Sequence, residues 1–383
     1  MRNVYLDNGS TSFPKAPGVG RAMLEFIENV GCNVNRGGYR SSYSLSEKIL
    51  ETREKLRDFF GFNRESNVVF TPNVTFSLNY IIHGLLRAGD RLIITSMEHN
   101  AVARPAETAR LRGVDLAIAR CDEKGCLDLE DFKRQITADT KAVVMLHGSN
   151  VCGSLMPVVE VGKLCKERGV FFIVDAAQTA GVFPIHMKEM NINGLAFTGH
   201  KGLLGPQGIG GLLLDDKLAQ AISPIIDGGT GSRSDSIVMP DFMPDKLEPG
   251  TMNLPGILGL SAALDYVVEK GVDNIRAEEL KLTRLFMEAF ISRSSVRVVG
   301  PGAGEERCPI VSLDFTDKDN AEVAFRLDNE FGIMTRCGMH CAPLAHKTLK
   351  TFPQGTVRFA FGHRNTEEEV AYAVDAIERI LGD

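Results

Sequence analysis

Between residues 67 and 175 short apolar runs alternate with longer amphipathic stretches. The run VVF at 68–70 is followed by a helical pattern reaching residue 86, and RLIITS at 91–96 by one over 100–112. VDLAIA, AVVML and VFFIVD come next, separated by helical patterns around 129–136 and over 158–168. Strand-length apolar runs spaced by helix-length segments predict parallel βαβ units. Such a sheet is covered on both faces, so its strands read apolar throughout instead of alternating. Right-handed crossovers then put the loops that carry chemistry at the C-terminal ends of the strands.

After Gly250 the pattern changes. Helical stretches over 255–269 and 272–293 are followed by VRVVG, PIVSLDF, a helix near 320–331, GIMTR, TVRFAF and a last helix over 366–381. This predicts a smaller α+β domain, joined through the Gly- and Pro-rich stretch LEPGTMNLPG. With 383 residues the chain exceeds the size at which one core keeps growing. The expected division of this α/β protein is a large domain over residues 16–250 and a small one made of residues 1–15 and 251–383.

Composition removes several function classes. Net charge is -6 with no basic block, which argues against nucleic acid or an anionic membrane as partner. No apolar run is long enough to span a bilayer, and the first residues lack the apolar core of a signal peptide, so a cytoplasmic protein is expected. The eight cysteines form no paired framework, and free thiols are the expectation in a reducing compartment.

The strongest chemical signal lies between residues 171 and 214. VFFIVD ends on Asp175, and the short run LAF leads into Thr198-Gly199-His200-Lys201, followed by glycines at 202, 205, 208, 210 and 211. A lysine buried at a strand end loses its proton more readily, and the neutral amine is the form that attacks an aldehyde. A carboxylate at Asp175 could keep a pyridine nitrogen protonated, with Gln178 in reach of the same ring edge. Taken singly, Asp175 reads more readily as a helix N-cap and Lys201 as a solvated surface lysine.

Together these residues belong to a longer pattern. YLDNGSTSFPKAP, NRGGYRSS, SMEHNAVARP, HGSNVCGS, DAAQTAG, TGHKGLLGPQGIG, EPGTMN and RCGMHCAP, in this order, resemble the class V aminotransferase family, and within it the cysteine desulfurases and selenocysteine lyases. The resemblance spans nearly the whole chain. It implies the type I fold of pyridoxal 5′-phosphate enzymes, with a mainly parallel sheet in the large domain. It further implies Lys201 as the Schiff-base lysine, Asp175 on the pyridine nitrogen and Gln178 on the ring oxygen. His99 would stack on the ring and shuttle protons, and Asn150 would contact the ring oxygen or the substrate carboxylate. Phosphate donors would come from Asn73, Val74 and Thr75 at a helix N-terminus, from Thr198 and His200, and, across a homodimer with shared sites, from Gly250 and Thr251. The family often has Gly-Thr-Thr where this chain has Asn-Val-Thr, so one hydroxyl is lost. Asn35 and Arg36 would lie near the site.

A second constellation, MTRCGMHCAPLAH, resembles the active-site segment of type II cysteine desulfurases. There Cys341 would take sulfur from the substrate and carry it as a persulfide, with Arg336 and His340 as candidates for a cationic neighbourhood that favours the thiolate. Arg336 and Arg358 would bind the substrate, Arg358 by forking onto its carboxylate. The family commonly has threonine or a similar residue where this chain has Cys337, which could pair with Cys341, relay sulfur or only pack. The implied activity converts L-cysteine to L-alanine and hands the sulfur to an acceptor protein. Selenocysteine lyase is the alternative within the family, and a transaminase would not need the thiol. A non-catalytic thiol- or metal-binding protein on the same scaffold is the rival of another kind, because Cys337, His340, Cys341 and His346 are all potential ligands. Their spacing is tighter than in most zinc sites, and no metal is expected.

Overall fold

In chain order the strands are β1 (Val4–Tyr5), β2 (Val68–Thr71), β3 (Arg91–Thr95), β4 (Asp115–Ala119), β5 (Thr140–Leu146), β6 (Phe171–Asp175), β7 (Gly194–Thr198), β8 (Gly210–Leu214), β9 (Val296–Val299), β10 (Ile310–Phe315), β11 (Ile333–Met334), β12 (Arg336–Gly338) and β13 (Thr356–Ala360). The computed structural model describes residues 3–34 and 38–382. Seven strands make the central sheet, in the order β2-β8-β7-β6-β5-β3-β4. From β4 to β7 every pairing is parallel, and β8 alone runs against its neighbours.

The continuous apolar strands follow from burial on both faces. Successive side chains point to opposite sides of a strand. Phe172 and Val174 of β6, with Val143 and Met145 of β5, join one core, while Ile173, Ala142 and Val144 join a second core on the other face. Each large apolar side chain withdrawn from water contributes about 1.5–3 kcal/mol, so neither face tolerates a polar residue here. The helices Val74–Leu85, Asn100–Leu111 and Val158–Arg168 fall where the amphipathic patterns place them. Strand β8 is a difference. Its GGLLL sequence is not among the strands expected from the apolar pattern, yet it pairs between β7 and β2. Gly211 is required there because a Cβ would run into the Phe197 ring and the Val69 carbonyl.

The helix Arg40–Phe59 is absent from the sequence expectations. It buries Leu45, Ile49 and Leu56 on one side, together with Arg53. Arg53 forks onto Glu248 with Nη2···Oε2 2.6 Å and Nη1···Oε1 2.9 Å, both side chains almost out of water. Glu248 Oε1 also accepts the Phe70 N–H at 2.6 Å. The acid of LEPGTMN thus fastens that stretch to the long helix and to β2.

The second sheet is antiparallel, in the order β12-β13-β10-β9. Phe286 and Phe290 of the helix Val272–Phe290 pack with Phe359 and Phe361 beneath it. Strand β1 pairs with β11, far away in sequence. From there residues 4–16 cross to the central sheet. Leu6 and Asn8 bond Ala360, Ser12 N–H donates to His200 O at 2.9 Å, and Ala16 N–H to Leu204 O at 3.0 Å. No helix among the described residues is long and apolar enough to cross a membrane.

Glu248→Ala should destabilise the protein by roughly 3–5 kcal/mol, because it leaves the Arg53 charge buried without its acid. Urea unfolding of Glu248→Ala beside the double variant Arg53→Met with Glu248→Leu checks this. The double variant should recover much of the loss.

Candidate active site

Strands β2, β3, β5, β6 and β7 point the same way, and each delivers a residue at its C-terminal end. β6 ends on Asp175, β7 leads to His200 and Lys201, β5 leads to Asn150, β3 leads to His99, and β2 leads to Asn73. Of these, Asp175, Lys201, Asn150 and His99 line one cavity with about 350 Å³ of empty space, together with Val74 and Gln178 among others.

Burial sets the charges. Removal from water lowers the Lys201 amine to about 8; the Asp175 carboxylate opposes this, and Arg358 and Arg336 add to it. A usable fraction of Lys201 is therefore neutral near neutral pH. Asp175 is raised by burial, against the Ala177 N–H that donates to Oδ1 at 2.9 Å and the attraction of Lys201. Glu98 sits behind it, wholly buried. Burial pushes it up to about 8, opposed by hydrogen bonds from Thr95 and Leu146, and Asp175 pushes it further up. His99 is lowered to about 4 by burial and then by Lys201, Arg336 and Arg358. Its Nδ1 accepts the Ala101 N–H at 3.0 Å, so the neutral ring carries its proton on Nε2.

The side chains present fit pyridoxal 5′-phosphate. The test is what they lack. Asp175 is a buried acid whose described hydrogen bond is a single backbone N–H, which suits a protonated ring nitrogen beside it. Thr198 Oγ1 and His200 Nδ1 are buried and find no hydrogen-bond partner among the described residues, which leaves them open to a phosphate. Asn73 caps the helix Val74–Leu85 by accepting the Phe76 N–H at 3.2 Å, and Thr75 is exposed. Gln178 gives one amide hydrogen to Gly9 O at 3.0 Å. Thr251 is not brought to this cavity. It is exposed in a separate cleft with Phe70, Thr71 and Tyr80, and accepts from Asn33 at 3.4 Å. Asn35 and Arg36 lie outside the described residues.

Cys341 is an exposed thiol on the short turn after β12. Two contacts hold the turn against the cavity's rim: Asn150 Nδ2 donates to His340 O, and Asn100 N–H to Cys341 O, each at 2.8 Å. Arg336 Nη2 points at Cys341 Sγ from 3.5 Å. The expectation that His340 adds positive charge is corrected. Its ring is buried against Thr356 Oγ1 at 3.0 Å, and burial, helped by Arg358, lowers it to about 2, so it is neutral. Cys337 is half-buried against the core of the second sheet, and burial raises its thiol. His346 is engaged with Thr351 at 2.6 Å. Among the described residues no group of three or more such side chains could hold a metal ion.

Arg358 lies wholly buried in β13. Its Nη2 donates to Asp7 Oδ1 at 2.7 Å and Ser10 Oγ at 2.8 Å, and Nη1 to Asn150 O at 3.0 Å. Ser10 Oγ also accepts from Arg336 at 3.2 Å and donates to Asp7 at 2.8 Å. Asp7, Ser10 and Glu98 are absent from the residues singled out in the sequence. All three sit inside the blocks YLDNGSTS and SMEHN that carry the resemblance, and that position is the signal that could have found them.

Comparisons with known proteins agree with this geometry. The family model described as Aminotransferase class-V matches residues 4–372. A probable cysteine desulfurase of Methanothermobacter thermautotrophicus is 32% identical, over 99% of this chain and 95% of its own. One from Pyrococcus abyssi is 34% identical, over 99% and 94%. The apo structure of a cysteine desulfurase from Thermococcus onnurineus NA1 matches with a TM-score of 0.91 at 32% identity, over 99% of this chain and 95% of that one.

The amine of Lys201 should titrate near pH 8 in protein freed of small ligands. Asp175→Asn should lower the midpoint, since the carboxylate raises it, and Arg336→Gln should raise it. The pH dependence of reductive methylation at Lys201, followed by mass spectrometry, reports the midpoint. A value at the ordinary lysine pKa of about 10.4 would contradict the burial argument.

Proposed function

This chain belongs to the aminotransferase class-V family, and we propose that it is a pyridoxal 5′-phosphate-dependent cysteine desulfurase that converts L-cysteine to L-alanine and keeps the sulfur on Cys341. The observation that carries the reading is the exposed Cys341 thiol, 3.5 Å from the Arg336 guanidinium, on a turn tied to the rim of the Lys201 cavity. A transaminase would have no use for that thiol.

Lys201 would hold the cofactor, Asp175 its ring nitrogen, Gln178 and Asn150 its edge, and Thr198 and His200 its phosphate. When bound, the cofactor supplies an aldehyde for amines and a ring that withdraws electrons from the substrate carbon. The protein's own groups do the rest. Arg358 and Arg336 orient the substrate carboxylate. Neutral Lys201 takes the proton from the substrate's α-carbon. His99 offers the proton on Nε2 and, with Nδ1 engaged, exchanges at that nitrogen alone. Cys341 thiolate attacks the substrate sulfur: an S–S bond forms as the C–S bond breaks, and the bonding pair stays with carbon. Carbon regains its protons and leaves as alanine, and Cys341 retains the sulfur as a persulfide for an acceptor protein or a thiol reductant. Thr251, exposed and away from this chain's own cavity, suits a homodimer in which it serves the partner's site.

Cys341→Ala should still take up the cofactor on Lys201, identified by borohydride reduction and peptide mapping. Its kcat for alanine release from cysteine should drop by at least about two orders of magnitude, since the lost contact is made only in the transition state. Cys337→Ser should be far milder. Wild-type protein treated with cysteine should gain one sulfur atom on the peptide containing Cys341. Sulfur found on Cys337 instead would overturn the assignment of the nucleophile.

A further inference from the structure

The guanidinium that the proposed function gives to the substrate carboxylate is already carrying a carboxylate. Asp7 Oδ1 sits 2.7 Å from Arg358 Nη2, and Ser10 Oγ takes the other hydrogen of the same nitrogen at 2.8 Å. Both edges on which a guanidinium accepts a carboxylate through two parallel bonds include Nη2. Of the remaining donors, one Nη1 hydrogen goes to Asn150 O, and Nε is buried and finds no partner among the described residues. Arg358 therefore has no open fork. Gly9 closes the remaining side. A Cβ placed there would lie 3.2 Å from Arg358 Cζ and 3.3 Å from its Nη2, so Gly9 leaves no room beside the guanidinium.

We propose that Asp7 is a resident competitor for the substrate's carboxylate, and that an incoming amino acid must displace it from Arg358. The proposal rests on the reading of Arg358 as the carboxylate site and deepens it. It makes Asp7 a selectivity-determining residue. A buried arginine cannot stay charged without an acid beside it, and Asp7 serves while the site waits. Asp7 can leave that post more readily than Arg358 can, since its side chain is 20% exposed against 1% for the arginine. Ser10 Oγ, which donates to Asp7 at 2.8 Å, gives it a second anchor once the guanidinium is taken. A simple carboxylate anion brings nothing to the exchange that Asp7 does not already provide. An α-amino acid brings an amine as well, aimed at the Lys201 side of the cavity. Only a ligand held at both ends wins the exchange, and small organic acids are kept off the arginine.

The test uses the purified holoenzyme with cysteine as substrate and propionate as the probe carboxylate. If the arginine is free in only a minor fraction of molecules, apparent affinity is reduced by that fraction. Asp7→Asn keeps the size and a hydrogen-bonding oxygen but removes the competing charge. It should lower KM for cysteine about tenfold and tighten inhibition by propionate by about the same factor, for a competent fraction near one in ten. Asp7→Glu, which restores a carboxylate, should bring both back toward wild type. Binding is read without turnover as the rise in melting temperature with propionate, expected for Asp7→Asn and small for wild type. A merely positioning Asp7 gives the opposite sign: KM for cysteine rises in Asp7→Asn and propionate gains no affinity. That result overturns the proposal. Arg358→Lys separates the two readings. If it raises KM while Asp7→Asn leaves KM and propionate unchanged, competition is wrong and the carboxylate site stands. If it leaves KM unchanged, the carboxylate site falls and the competitor with it.

Discussion

Arg358 carries a full charge with none of its surface in water. An unpaired charge so placed costs several kcal/mol, so it must face hydrogen-bonding partners whenever the protein is folded. Those partners come from separate parts of the chain: Asp7 and Ser10 near its start, and the Asn150 carbonyl on the loop after β5. The same Asn150 holds the His340 carbonyl through its side chain, and His340 precedes the thiol. One buried cation thus fixes the wall of the cavity, the stretch that covers it and the turn bearing Cys341. Arg358, on the second sheet, reaches the loop after β5 of the central one.

Within the cavity, burial works on lysine and aspartate in opposite senses. It lowers Lys201 and raises Asp175, while the attraction between them opposes both shifts. The result is an amine that is partly neutral and an acid in want of a cationic partner. The thiol is held differently. His340 and Cys341 both have left-handed backbone angles, φ 46° and 57°, a conformation that costs a residue with a side chain of the order of 1–3 kcal/mol. The bonds from Asn150 and Asn100 and the contact of His340 with Thr356 offset that cost.

Most of the central sheet was legible because its signal is local. Apolar runs between amphipathic stretches define β3 to β7, and residues at or just past the C-terminal ends of β3, β5, β6 and β7 line the cavity. What was not legible depends on distant partners. β8 is not among the expected strands, and only the Phe197 ring explains why Gly211 carries no side chain. The helix Arg40–Phe59 carries its buried Arg53 among many charged residues, and only Glu248, 195 positions on, marks that arginine as internal. His340 reads as a cation beside a thiol in sequence and is a neutral, buried ring in space. Asp7 and Ser10 are ordinary turn residues until Arg358, more than three hundred positions later, gives them a function.

That last separation has a consequence for how the protein is made. β1 pairs with β11, and Asp7 with Arg358, so the stretch around Asp7 leaves the ribosome long before the partners it will meet. Chains emerge at about 5–20 residues per second, so Asp7 waits roughly twenty to seventy seconds for its arginine. The central sheet can assemble during that wait, since its strands are complete by Leu214. Val4 and Leu6, wholly buried in the finished protein, lack their partners from β11 and β13 until those strands emerge. A nascent chain therefore builds the lysine's cavity first and closes it only after Arg358 has emerged.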